Sequence, residues 1–83
     1  MAKKLLSRES TRLLIETGQI RDVYLVASAA GGFGVEIRAG LVEGVLATER
    51  GQPRHYGSAD TALRDLRSLG LGRVTCEIAQ LRT

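Results

Sequence analysis

Ser58-Ala59-Asp60-Thr61-Ala62-Leu63-Arg64-Asp65-Leu66-Arg67-Ser68-Leu69-Gly70-Leu71 decides the class of fold. Ala59, Ala62, Leu63, Leu66 and Leu69 recur at helical spacing and form one apolar stripe. Ser58 or Asp60 offers a side-chain oxygen to the N–H groups of the first turn. Asp60 precedes Arg64 by four residues, a supportive pair on a helix. Gly70 ends the helix, with Leu71 folding back onto its last turn. A helix with so clear a stripe needs an apolar surface to lie on.

The preceding residues supply that surface as strands. Pro53 to Tyr56 predicts a short strand, at an edge or beginning at Pro53, which has no N–H to donate. From Leu41 to Glu49, Val42, Gly44, Leu46 and Thr48 oppose Leu41, Glu43, Val45 and Ala47, with Gly44 a candidate bulge. Phe33, Val35 and Ile37 alternate with Gly34, Glu36 and Arg38, the pattern of a strand with one wet face. Asp22 to Ala29 is β-branched and aromatic-rich and ends at Ala29-Ala30-Gly31-Gly32. Gly31-Gly32-Phe33-Gly34 thus falls between two strands, as in a hairpin, whereas a phosphate-cradling loop lies between a strand and a helix. Ahead of these, Ser7 to Thr17 reads as a short helix stopped by Gly18, with a strand at Leu13-Leu14-Ile15 as the competing reading. Beyond the second helix, Arg73 to Ala79 predicts a last strand with Val74, Cys76 and Ile78 on one face, then a tail from Gln80 to Thr83. The expected class is α+β in one domain over residues 1–83. It is a small antiparallel β-meander with one short N-terminal helix, one amphipathic helix packed on the sheet, and a final strand.

Composition narrows the function classes. The chain has 83 residues, so it holds one domain at most. It is 43% hydrophobic and 25% charged, close to soluble averages, which argues against large-scale disorder. No apolar run approaches the roughly 20 residues that span a bilayer, so no membrane partner is expected. Lys3-Lys4-Leu5-Leu6 lacks the apolar core of a secretory signal, and Cys76 has no second cysteine to pair with. The cytoplasm is therefore the expected compartment. Cys76 alternates with apolar residues and is expected to be a small buried strand residue.

The inventory for catalysis is thin. His55 is the single histidine, without a nucleophile and an orienting acid that stand out beside it, and Ser58 is better used as a cap. Glu36, Glu43, Glu49 and Asp60 show no metal-ligand spacing. No enzyme activity, no cofactor and no metal are expected. What stands out is a basic surface. Formal charge is +3, and all the cations except Lys3 and Lys4 are arginines, suited to bidentate contact with carboxylate or phosphate. Arg50-Gly51-Gln52-Pro53-Arg54-His55-Tyr56 joins two predicted strands, and Arg64 and Arg67 lie one turn apart on the polar side of the second helix. Arg50, Arg54, His55, Tyr56, Arg64 and Arg67 are the candidate binding residues, for DNA or for a partner protein. Tyr24, Phe33 and Tyr56 are too few to make a base-stacking platform the favoured mode.

Ala47-Thr48-Glu49-Arg50-Gly51-Gln52-Pro53-Arg54-His55-Tyr56-Gly57-Ser58-Ala59-Asp60-Thr61-Ala62, with Leu66-Arg67-Ser68-Leu69-Gly70-Leu71 and the earlier Thr11-Arg12-Leu13-Leu14-Ile15-Glu16-Thr17-Gly18-Gln19-Ile20, resembles the small ParC-type accessory proteins of bacterial plasmid partition operons. The resemblance covers most of the chain, and its motifs are structural: a hairpin and a capped helix. It implies a non-enzymatic helper of plasmid partition and maintenance that acts with a partition ATPase and a centromere-binding protein, and it carries over no catalytic residue. A small basic DNA-binding protein or transcriptional regulator is the alternative. A homodimer is also expected, because a small meander leaves open edges, Val23 to Ala27 being the candidate edge.

Overall fold

The computed structural model describes residues 4–20, 22–28, 31–40 and 42–78. The expected strand ends at Ala29, Leu41 and Ala79, and the tail from Gln80, lie outside the described residues. The elements are β1 (Lys4–Leu6), α1 (Arg8–Glu16), β2 (Asp22–Ala27), β3 (Phe33–Ala39), β4 (Val42–Leu46), α2 (Ala59–Ser68) and β5 (Thr75–Glu77). Among the described residues they build an α+β fold of two helices and a five-stranded sheet ordered β1-β4-β3-β2-β5.

The α+β class stands, and the pure meander is corrected. β2, β3 and β4 are an antiparallel meander, with Val23 opposite Ile37 and Ile37 opposite Gly44. Each flank then gains a parallel strand: β1 on β4, pairing Leu6 with Leu46, and β5 on β2, pairing Leu25 with Cys76. β1 escaped the sequence reading because Lys4-Leu5-Leu6 is too short to show a period. The expected strand at Pro53 to Tyr56 is replaced by two isolated bridges, Ala47 to Pro53 and Phe33 to Tyr56. Val23 to Ala27 is no edge, since β2 lies between β3 and β5. Among the described residues, the sheet's edges are the outer sides of β1 and β5.

The parallel pairs explain the layering. β1-α1-β2 and β4-α2-β5 are two interleaved crossovers that cross the sheet in the same direction. Crossovers of one hand must then place both helices on one face. The core bears this out. Val23, Leu25, Val35, Ile37, Leu6 and Leu46 pack against Ala62 and Leu66 of α2 and Leu69 just beyond it, with Leu14 and Ile15 of α1 against the same cluster.

The two helices are built alike. Ser7 Oγ accepts from the Ser10 N–H at 3.0 Å, and Ser58 Oγ from the Thr61 N–H at 3.2 Å. These are the expected caps, and the helical reading of Leu13 to Ile15 holds over the strand reading. Thr11 of α1 is fully buried, and its hydroxyl donates back to the Ser7 carbonyl at 2.8 Å. α2 closes with the Leu71 N–H on the Leu66 carbonyl and the Gly70 N–H on that of Arg67, as its sequence predicts.

Three finer expectations fail for packing reasons. Leu63 is 40% exposed, because the buried stripe narrows to Ala62, Leu66 and Leu69. Cys76 is exposed rather than buried, since the helices cover the middle of the sheet and β5 has no buried residue. Gly44 is not a bulge. It pairs in regular register with Ile37 and Lys4, and glycine is needed there because a Cβ would come within 2.5 Å of Leu6 Cδ1.

Leu66→Ala should lower the unfolding free energy by about 2–5 kcal/mol, read from the denaturant midpoint, because Leu66 is fully buried at the centre of the helix–sheet contact. Gly44→Ala should cost about 1–3 kcal/mol by overpacking Leu6, and Leu6→Ala in the same chain should return part of that loss.

Candidate functional site

The segment from Ala47 to Tyr56 leaves β4 and folds over the carboxyl ends of β1 and β4. It is pinned at both ends. The Ala47 N–H donates to the Leu6 carbonyl at 2.8 Å, and the Arg54 N–H to that of Leu46 at 2.7 Å. Further on, Phe33 and Tyr56 exchange two backbone hydrogen bonds of 2.8 Å. Tyr56 is thereby drawn under the sheet margin and buried. Its hydroxyl donates to Asp65 Oδ2 on α2.

Asp65 is the centre of the site. Arg8, the first residue of α1, donates from Nη2 and Nε to Asp65 Oδ1 at 2.6 and 3.2 Å, and from Nη2 to Ser68 Oγ at 2.7 Å. Ser68 Oγ in turn donates to the Asp65 carbonyl at 2.6 Å. One carboxylate thus links the start of α1, the middle of α2 and the 47–56 segment. Arg54 lies over the Tyr56 ring, 5.3 Å from its centroid, and adds positive potential to the same network.

These contacts set the two titrations. Burial alone would raise the Asp65 carboxyl, yet the hydrogen bonds from Tyr56 and Arg8, with the charges of Arg8 and Arg54, hold it below the ordinary carboxylate range. The Tyr56 phenol is pushed up to about 12, first by burial and then by its hydrogen bond to the Asp65 anion and that anion's charge.

An open groove runs beside this network, lined by Ser7, Arg8 and Glu9 at the start of α1, by Leu46 to Arg50, and by Gln52, Arg54, Tyr56 and Asp65. Of the candidate residues, Arg50, Arg54 and Tyr56 share this groove. His55 points elsewhere, with Nε2 at 2.8 Å from the Gly31 carbonyl, so it clasps the β2–β3 turn. A Cβ at Gly32 would lie 2.6 Å from the Tyr56 carbonyl, so the turn sits against this segment. Arg64 pairs with Asp60 at 3.1 Å on the exposed side of α2, and Arg67 lines a different groove, with Leu63 and Leu71. The single basic surface expected from sequence is therefore divided.

Arg8 and Asp65 were not singled out in the sequence. Arg8 sits 57 residues from its partner, and no local pattern marks such a pair. Asp65 carries one legible sign: it borders the buried stripe, beside Leu66, where an acid needs a partner.

Tyr56→Phe should destabilise the fold by about 1–3 kcal/mol, since it removes a hydrogen bond to an anion at a buried position. The pH dependence has two limbs. The Asp65 carboxyl titrates lower folded than unfolded, so its contribution is complete above its unfolded value of about 3.9 and is lost as pH falls through and below it. The Tyr56 phenol titrates higher folded than unfolded, so its contribution is complete below about pH 10 and is lost as pH rises towards about 12. Thermal melts across pH should show both limbs, with Asp65→Asn flattening the acid one and Tyr56→Phe the alkaline one. Comparisons with protein-family models, with curated proteins and with solved structures find no match to this chain.

Proposed function

We propose that this chain is a non-enzymatic accessory protein of plasmid partition and maintenance, working in the cytoplasm through protein contacts. The groove beside Asp65 is its seat for a partition ATPase or a centromere-binding protein. The resemblance in sequence supplies the setting. The observation that carries the choice of a protein partner is the mixed sign of the groove. Arg50 and Arg54 line it together with Glu9 and Glu49. Two carboxylates among the guanidinium groups repel a phosphate backbone, whereas a protein surface can answer both signs at once.

The residues have distinct parts in this reading. Arg50 has no ion-pair partner among the described residues, so its guanidinium is available to a partner's carboxylate. Arg54 is held by its stack on Tyr56 and meets the partner already oriented. Arg8 and Asp65 are positioning residues, because their pair fixes the groove wall. The alternative, a small basic DNA-binding protein or regulator, draws on the same arginines.

Arg50→Glu with Arg54→Glu should abolish binding to the partition proteins, measured by titration calorimetry at low salt, where charge contacts are least screened. DNA binding would appear instead as affinity falling steeply with salt, about 0.9 in the log–log slope per phosphate contacted. Retained partition-protein binding by the double variant overturns the site. A steep salt slope on plasmid DNA, lost in the variant, replaces the protein reading with the DNA one.

A further inference from the structure

Among the described residues, the two crossovers leave one face of the sheet without a covering element, and its residues are not those of a simply solvated surface. Leu5, Val45, Glu36 and Tyr24 stand in one row across β1, β4, β3 and β2. Leu5 is 46% exposed, and Val45 and Tyr24 are half-buried although no helix covers them. Acids surround the apolar part of that row. By register, Asp22, Glu36, Glu43 and Glu77 alternate onto this face, and Arg38 is its one cation among the described residues. Arg38 is already engaged, 3.4 Å from Glu43 and stacked on Tyr24 at 5.0 Å.

The opposite combination occurs on the helix side. Leu63, Leu71 and Val74 line a groove between α2 and the chain entering β5, with Arg67 and Arg73 at its border and no carboxylate in its lining. Neither arginine has an ion-pair partner among the described residues. One surface is apolar with an acidic border, and the other is apolar with a basic border.

We propose that these surfaces bind each other between copies of the chain. The α2–β5 groove of one copy seats on the bare sheet face of the next, with Arg67 and Arg73 against the acidic border. The two surfaces lie on opposite layers, so one molecule cannot join its own. Because the patches differ, the contact is heterologous, and every two-copy species keeps one free patch of each kind. Such assemblies extend into chains or close into rings. This replaces the route to a homodimer through Val23–Ala27, which the interior position of β2 closes. It does not depend on the groove at Arg50 and Arg54.

Sedimentation velocity on the full chain tests this. Mean mass should rise with concentration at about 0.01 M salt, where the Debye length is about 30 Å, and fall to the monomer near 1 M, where it is about 3 Å. Asp22→Asn with Glu77→Gln should be monomeric under both conditions, and so should Arg67→Gln with Arg73→Gln. Mixed together, the two variants should form a species of two chains and stop there, since each retains one intact patch. Cys76, which lines the basic groove, gives a readout that needs no variant. Its alkylation should slow several-fold in the concentrated, low-salt sample. A parent chain that is monomeric at low salt, or that associates more as salt rises, overturns the proposal. So does a variant that associates like the parent, a mixture that forms no two-chain species, or Cys76 alkylation that ignores concentration.

Discussion

The Asp65 carboxylate accepts from Arg8 at the start of α1 and from Tyr56 at the end of the segment that crosses the sheet margin, while its own backbone belongs to α2. Three parts of the chain that are distant in sequence converge on its two oxygens. The position is partly shielded, with the Asp65 side chain 21% exposed, so each hydrogen bond counts for more than it would in open solvent. The arrangement also satisfies what it shields, since no buried side-chain polar atom among the described residues lacks a partner. Apolar packing alone would hold α2 to the sheet. The carboxylate adds the angle between α1 and α2 and the closure of the 47–56 segment, and with them the shape of the groove.

Local chemistry explains which parts of this were legible in the sequence. The capped and amphipathic α2, the alternation in β3 and the turn at Gly31-Gly32 all write their conformation in adjacent residues, and all are found where the sequence puts them. β1 is three residues long and becomes a strand only because β4 is there to pair with it. Such a strand is a tertiary product, and periodicity cannot show it. The same holds for Pro53 to Tyr56. Its β-like composition produces single bridges rather than a ladder, because the segment must turn to bring Tyr56 to Asp65. Parallel pairing likewise depends on where the helices carry the chain, so a reading by neighbouring turns returns a meander.

For the site, composition located the basic segment but not its geometry. Arg50, Arg54 and Tyr56 share a groove because the segment folds as one piece, whereas His55, next in the chain to both Arg54 and Tyr56, turns to the Gly31 carbonyl. The spacing of Arg64 and Arg67 puts them near one face of α2, yet their neighbours part them. Arg64 meets Asp60 in solvent, and Arg67 borders Leu63 and Leu71. Charge density along a chain finds cations readily, but three-dimensional neighbours decide which of them work together.

The chirality of the crossovers connects the core to both surfaces. β1 and β4 run parallel side by side, and each leads towards a helix on the same face of the sheet. The start of α1 and the segment leading to α2 must therefore meet at the carboxyl ends of these strands, where the groove forms. The same rule that brings them together sends both helices away from the other face. Parallel strands are ordinarily covered on both sides. Here, among the described residues, Tyr24, Val26 and Val45 are shielded by neighbours in their own layer, such as Arg38 over the Tyr24 ring. A groove on one layer and an uncovered apolar row on the other are thus two consequences of one handedness, and neither can be removed without changing how the strands are connected.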